Sequence, residues 1–434
     1  VDKRMDDKNF PMIAKFRLKE RDADGEFGPL LVSAKSHPAL QKVIEAFENS
    51  AEVPLGYTTI EKNKGVVQPT MKKKTIYLCG ASLRDHLANQ PFHHYDLVTD
   101  ASPDETKKIL KDSPAHFKEV KPKTHDLELL GKYKDLPESA GNKNYFYASR
   151  WDKSGIEIEV TAVVDGQKLY ISPFCIHEKY RGLVPLKAKF TTSIVQDAAT
   201  RDITINAMYL KLKDADGENG ELIDPQGGMH DLKSGIVQLI RKPQLAFGRN
   251  PYLPFNLCSV SARFAKNGNL SKDLLDEILE FQHDDYDDKI LKKMFVAAIE
   301  NPEVPVAKYI NNLKKAKLLG KIFPRMEFHD MCDKVDCTKV PNNRIIATAM
   351  TLMGNDPFEV EKVLKTLGFS HLDAENVQFL LRLGRLVRSG NKNQHVIDDL
   401  FSKPINMGKN IIRQFLDLLG SPNAFHQVID KNMV

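Results

Sequence analysis

Through its first half the chain alternates short apolar runs with amphipathic stretches, and in its second half apolar positions recur every three or four residues. Ile76-Tyr77-Leu78-Cys79 runs directly into Gly80-Ala81-Ser82, the pattern of a strand turning into a helix. A second apolar run, Tyr95 to Asp100, carries Asp96 inside it. Ser102, Pro103, Asp104 and Glu105 then have the order of a helix N-terminus: a hydroxyl cap, a proline at the first position and acidic residues in the first turn. Gly155 to Val163 opens with strict alternation, predicting a strand with Glu157 and Glu159 on one face. Upstream, His37–Ser50 predicts a short amphipathic helix with Leu40, Val43, Ile44 and Phe47 on one face. Residues 113–144 are polar and rich in Lys, Pro and Gly, as in an exposed loop or hairpin. From Ser271 onward, helices are predicted over Leu274–Phe281, Ile290–Glu300, Val306–Leu319, Asn343–Met353, Pro357–Leu367 and Glu375–Val387.

A chain of 434 residues is too long for one core and predicts roughly two or three domains. Hydrophobic residues at 41% and charged residues at 28% are the composition of a globular protein, not a disordered one. No apolar run approaches the length that crosses a bilayer, and Val1-Asp2-Lys3-Arg4 opens no secretory signal, so no membrane partner is expected. Five scattered cysteines predict reduced thiols in a cytoplasmic setting, and Cys332 and Cys337 lack the second pair that a structural zinc site needs. A net charge of +5 permits nucleic-acid binding through local patches without demanding it.

The chemistry gathers between Ile76 and Thr106. Small residues directly after a strand let backbone N–H groups approach a phosphate, and a helix beginning there adds its positive end. A carboxylate inside a strand is costly unless paired or used, which makes Asp96 a candidate metal ligand. The same pattern also fits an ordinary α/β unit with a satisfied Asp. Lys72-Lys73-Lys74 suits RNA phosphates or a solvated run.

The order of residues resembles the head of the class II tRNA nucleotidyltransferase (CCA-adding enzyme) and bacterial poly(A) polymerase family. Gly80 and Ala81 fall on the family's glycine pair, Arg84-Asp85 on its Arg-Asp, and Asp96-Leu97-Val98-Thr99-Asp100-Ala101 on the end of its acidic strand. A second stretch, Asp197-Ala198-Ala199-Thr200-Arg201-Asp202-Ile203-Thr204-Ile205-Asn206-Ala207, is similar to the family's Asp-x-x-Arg-Arg-Asp-Phe-Thr-Ile-Asn-Ala segment. Leu222 to Leu232 resembles a glycine-bearing turn of the family, and Lys314 to Pro324 its helix-then-Phe-Pro junction.

The resemblance implies an α+β fold: a polymerase-beta-like nucleotidyltransferase head with a small mixed sheet, then an all-helical C-terminal half. The implied divisions are an N-terminal extension over 1–70, a head over 71–212, a neck over 213–270 and an RNA-binding helical body and tail over 271–434. The implied activity is template-independent transfer of a nucleotide from an NTP (ATP or CTP) to an RNA 3′ hydroxyl, with a tRNA 3′ end as acceptor, assisted by two Mg2+ or Mn2+ ions. It makes Asp96, His94 and Glu159 the catalytic set, with Asp96 and His94 on the metal. It assigns Gly80, Ala81, Arg84, Asp85, Arg201, Asp202, Asn206 and Asn250 to substrate. In that reading Arg201 offers a charged fork to a triphosphate or ribose, Asp202 orients it and Asn206 bonds sugar hydroxyls. Lys314, Lys315, Lys317 and Lys321, with Arg382, Arg385 and Arg388, are candidates for RNA backbone or for solvated helix faces.

Five positions depart from the family pattern. His94 stands at the first metal carboxylate, and Thr200 at the first Arg of the Arg-Arg pair. The Glu-Asp-x-x-Arg block, whose Asp and Arg read the incoming base, falls on Arg249, Asn250 and Leu253. Imidazole in place of carboxylate weakens a magnesium site, leaving three possibilities: a softer metal such as manganese, rescue by Glu157, Glu159 or Asp100, or no transfer. Without the reading pair, a relaxed or single-nucleotide polymerase is easier to support than strict C-then-A addition. The competing expectation is a catalytically degenerate relative that binds RNA or a protein partner.

Overall fold

The computed structural model describes residues 14–17, 38–54, 71–91, 94–119, 145–151, 157–181, 184–212, 221–281, 283–328, 340–390, 393–402, 407–421 and 425–427. Most of the polar stretch 113–144, and Cys332 with Cys337, lie outside them. The chain divides into two compact units, Val1–Asn250 and Pro251–Val434.

The first unit is built on a nine-stranded mixed sheet. Its strands are β1 Ala14–Arg17, β4 Ile76–Cys79, β5 Tyr95–Thr99, β6 Lys118–Glu119, β7 Tyr145–Trp151, β8 Glu157–Val164, β9 Gln167–Pro173, β12 Tyr209–Lys211 and β13 Glu221–Asp224. They lie in the order β1-β13-β12-β4-β5-β9-β8-β7-β6. Two small ribbons stand apart: β2 Val53–Pro54 with β3 Met71–Lys72, and β10 Cys175–Arg181 with β11 Val184–Phe190. The edge strand β1 pairs antiparallel with β13, which builds residues 14–17 into this sheet.

Alternation along the strands separates two faces. Ile76, Leu78, Leu97, Val160, Ala162 and Ile171 pack on one side under α1 (Pro38–Glu48), which contributes Leu40, Val43, Ile44 and Phe47. Two further helices are α2 (Gly80–Leu87) and α3 (Pro103–Asp112). The start of α3 follows the local pattern closely: Ser102 Oγ accepts from Glu105 N and Glu105 Oε2 accepts from Ser102 N, a reciprocal cap with Pro103 at the first turn. The opposite face carries Tyr77, Cys79, Val98, Ala198, Ala207 and Tyr209. The short α4 (Ile194–Ala198) lies on this side and is followed in the chain by a 3-10 turn, Thr204–Asn206.

The Asp224-Pro225-Gln226-Gly227-Gly228 turn is structural. Asp224 accepts from Gly228 N and Met229 N at the head of α5 (Gly228–Ser234), and Gly227 takes φ +75. A Cβ at Gly228 would lie 2.2 Å from the Thr204 carbonyl oxygen, so this position joins α5 to the 3-10 turn by close backbone approach. The unit ends with α6 (Pro243–Arg249).

The second unit is helical throughout its described residues: α7 Leu253–Phe264, α8 Lys272–Glu280, α9 Asp288–Glu300, α10 Val306–Lys315, α11 Leu319–Ile322, α12 Arg344–Thr351, α13 Pro357–Thr366, α14 His371–Ser389, α15 Gln394–Phe401 and α16 Lys409–Leu418. The continuous helix expected over Val306–Leu319 breaks at Lys317, whose φ of +56 ends α10 while Leu318 N returns to the Leu313 carbonyl. Buried Phe295, Tyr309 and Phe323 meet in the core of this unit. Among the expected RNA contacts, Arg382 pairs with Asp399, Arg385 with Asp356, and Lys321 with Asp284. These cations are spent on neighbouring carboxylates, in keeping with solvated helix faces.

Gly228→Ala is expected to destabilise the protein by about 3 kcal/mol, because the methyl meets backbone that cannot yield. Urea denaturation measures this, and a change within about 0.5 kcal/mol would contradict the close approach.

Candidate active site

Strand β4 delivers Cys79 to Gly80, whose φ of +63 favours glycine and turns the chain into α2. No side chain caps the helix start and its first turn holds no acid, so backbone N–H groups and the positive helix end face outward there. A Cβ on Gly80 would lie 3.5 Å from Asp96 Oδ2 and 3.8 Å from Arg201 Nη1, which puts turn, carboxylate and guanidinium side by side. Ser82 locks this arrangement: its hydroxyl donates to the Cys79 carbonyl and accepts from Asp96 N at 2.9 Å.

Asp96 stands on β5 with His94 two residues earlier on the same face. His94 Nε2 is 3.4 Å from Asp96 Oδ1, the two side chains are about a third exposed at 33% and 30%, and the imidazole edge meets the Tyr170 ring.

Glu159 is not brought to this pair. Asp96 pairs with Tyr170 of β9 and Tyr170 with Thr161 of β8, so β9 lies between β5 and the Glu159 strand. Glu159 is two strands across and two residues along, roughly 12 Å away by sheet spacing. It is buried, accepting from Thr161 Oγ1 and Ser172 Oγ. β8 is accordingly an interior strand and not an edge one. Glu157 pairs with Lys107 of α3, and Asp100 accepts from Thr75 N and pairs with Lys72 at the far end of β5. The carboxylates considered for rescue therefore have other partners, and no group of three metal-ligating side chains exists among the described residues. Asp96 and His94 form a mixed oxygen and nitrogen donor set. It fits one divalent cation of borderline softness better than a pair of magnesium ions.

Arg201 is held by four groups, one of them the Asn206 carbonyl, which accepts from Nη1 at 3.3 Å. Its Nε donates to Asp197 Oδ2 at 2.9 Å and to Tyr209 Oη at 2.8 Å, the guanidinium lies 5.0 Å from the Tyr209 ring centre, and Nη2 reaches Cys79 Sγ at 3.5 Å. Asp197, buried, also accepts from Cys175 N and from the Tyr209 hydroxyl at 2.6 Å. Burial opposes the Arg201 charge, but the Asp197 carboxylate bonded to it outweighs burial and holds the guanidinium charged. Burial also drives the Tyr209 hydroxyl well up, keeping it a donor, and pushes the Cys79 thiol up to about 12.

The orienting residue is thus Asp197, with Tyr209, and not Asp202. Asp202 Oδ1 accepts from Ile203 N and Asn206 Nδ2. Arg84 is buried; its Nε and Nη2 donate to Asp85 Oδ1 and its Nη1 to Asn206 Oδ1 at 2.8 Å. Arg84, Asp85, Asn206 and Asp202 form one hydrogen-bonded chain that ties α2 to the 3-10 turn. Asp197 and Tyr209 escaped sequence reasoning. The place of Asp197 at the head of the stretch similar to Asp-x-x-Arg-Arg-Asp was the available sign for the first, and nothing local marked the second.

Asn250 caps the end of α6 with its N–H on the Ala246 carbonyl. Leu253 is 2% exposed, a core residue of the second unit.

Residues 142–238 match the family model described as the Poly A polymerase head domain. The match contains Glu159, the Arg201 segment and the Asp224 turn, and begins after the His94–Asp96 strand. The CCA-adding enzyme of Ligilactobacillus salivarius is 28% identical over 173 residues, 39% of this chain and 32% of that protein. That of Enterococcus faecalis is 27% identical over 173 residues, 39% of this chain and 32% of its own length. The aligned stretch thus spans about a third of the curated relatives it matches. Among solved structures, the Bacillus stearothermophilus CCA-adding enzyme in complex with CTP superposes with a TM-score of 0.57 at 15% identity, covering 91% of this chain and 82% of that one. The Thermotoga maritima CCA-adding enzyme complexed with tRNA gives 0.55 at 15% identity, with coverage of 94% and 84%. The fold is therefore the expected one, a nucleotidyltransferase head with a helical second half.

Arg201→Gln, which leaves the Asp197 carboxylate with fewer partners in the interior, is expected to cost about 2–3 kcal/mol in urea denaturation; an unchanged midpoint would contradict the clamp. With its thiol raised to about 12, Cys79 remains neutral through physiological pH. Iodoacetamide at pH 8 is expected to leave Cys79 unmodified in the folded protein and alkylate it after denaturation, as read by peptide mass. Rapid native alkylation would contradict its burial.

Proposed function

We propose that this chain, a divergent relative of the class II tRNA nucleotidyltransferases and bacterial poly(A) polymerases, is an RNA 3′-end nucleotidyltransferase that uses one borderline divalent cation and chooses its nucleotide loosely. The observation that carries the reading is the meeting of Gly80, Asp96 and Arg201 at one end of β4 and β5. A backbone N–H cradle, a half-exposed carboxylate and a fixed cation are what a nucleoside triphosphate needs on its phosphate side.

In this reading Gly80 and Ala81 present backbone N–H groups to the triphosphate, and Arg201 neutralises phosphate charge without having to be ordered on binding. Asp96 and His94 would hold a divalent cation, Mn2+ in preference to Mg2+, which when bound supplies electrostatic neutralisation at the reacting phosphate. Arg84 and Asp85 keep α2 and the 3-10 turn in register, and Asn206 stands between them and the sugar. Asn250 is the remaining polar group of the base-reading block. One amide edge gives weaker discrimination than an Asp and Arg pair, and relaxed choice between ATP and CTP follows. The acceptor proposed is a tRNA 3′ end, and the cytoplasm the compartment.

A second reading, a relative that binds RNA or a protein partner without catalysis, is favoured by one observation: no group of three or more potential metal-ligating side chains exists among the described residues. The experiment offers tRNA lacking its 3′ end and each labelled NTP singly, in magnesium and separately in manganese. The native protein is expected to extend the RNA faster in manganese, Asp96→Ala to lose about a hundredfold or more, and His94→Asp to move the preference toward magnesium. Silence from the native protein with activity in His94→Asp would establish the second reading. Silence from both would overturn the transferase assignment.

A further inference from the structure

Two arginines outside the expected site are bonded to the backbone next to Arg201. Thr200, at the position of the missing family Arg, turns inward: its hydroxyl donates to the Cys175 and Asp197 carbonyls, and the residue is buried. Its place in charge is taken from elsewhere in the chain. Arg249, at the last position of α6, reaches the Thr200 carbonyl through Nη1 at 3.4 Å, and Arg241 reaches the Ala199 carbonyl through Nε at 2.7 Å. Residues 238–241 are fixed against 202–204: Thr204 N donates to the Gln238 carbonyl, Ile240 N to the Asp202 carbonyl, and Ile203 bridges Leu239. Arg241 and Arg249 are therefore bonded, one each, to the two backbone carbonyls that immediately precede Arg201 in the chain. Two contacting positions have exchanged character: where the family pattern has Arg and Glu, this chain has Thr200 and Arg249.

Cations next to the carbonyls that end α4 would be favourable as helix caps alone. That role does not require two arginines, nor the Thr-for-Arg and Arg-for-Glu exchange at positions in contact. We propose that Arg241 and Arg249 extend Arg201 into an anion site for the triphosphate of the incoming nucleotide, with Arg249 supplying from α6 the charge that Thr200 withdraws. This rests on the transferase reading above. Replacing an acid by a guanidinium at residue 249 moves the site's preference from the base toward the phosphates, as expected of a pocket with loose base choice.

The test is equilibrium binding of ATP, CTP and AMP to the full chain in EDTA, by calorimetry, so that the arginines are read without a metal or turnover. Arg249→Gln and Arg241→Gln are each expected to weaken ATP and CTP alike by about tenfold or more, and AMP much less. Arg249→Lys should fall between, keeping charge but losing the fork. Thr200→Arg added to Arg249→Gln is expected to recover ATP affinity; thermal melting of every variant reports folding. Native ATP affinity in folded Arg249→Gln and Arg241→Gln would overturn the proposal and leave the two as helix caps, with the transferase reading intact. No ATP binding by the native chain would overturn the transferase reading itself, and this site with it.

Discussion

The buried carboxylate of Asp197 is the constraint on which the site depends. A charge in that position is tolerable only with donors around it, and it has three: the Cys175 amide, the Tyr209 hydroxyl and the Arg201 guanidinium. Each donor comes from a different part of the first unit, so one carboxylate joins α4, β10 and β12. Its most consequential effect is on Arg201, whose planar fork is fixed on one edge by Asp197 and Tyr209 and thereby directed at Cys79 and Gly80. A cation ordered in advance avoids the side-chain entropy that a free arginine loses on binding phosphate.

From that anchor the rest of the centre follows. Gly80 can sit between Arg201 and Asp96 because it has no side chain, and Ser82 holds the Asp96 amide at the turn. The sheet order then sets the limits. With β9 between β5 and β8, Glu159 serves Thr161 and Ser172, and Asp96 shares its face with an imidazole instead of a second carboxylate. In the proposed reading, metal preference is a consequence of topology as much as of the residue at position 94.

Local rules made several elements legible in advance. The strands at Ile76 and Tyr95, the Ser102 cap with Pro103, and the amphipathic helix after His37 each depend on neighbours within a few residues, and each is present. Arg201 and Asp96 were singled out through order and spacing, and both lie beside Gly80. What escaped was long-range. β1 adding to β13, β9 inserting beside β5, and Tyr209 reaching Asp197 from β12 are pairings between distant segments that carry no periodic mark. The break at Lys317 was missed because a lysine in left-handed conformation has no glycine to announce it.

The account stands on a single divalent cation held by Asp96 and His94 beside a triphosphate, and electron paramagnetic resonance of Mn2+ in the presence of ATP tests that most directly. The native chain is predicted to bind Mn2+ with a nitrogen modulation from imidazole in the pulsed spectrum, lost in His94→Asp while the bound metal remains, and to lose the bound metal in Asp96→Ala. Bound Mn2+ without nitrogen coupling, or binding indifferent to Asp96→Ala, would contradict it.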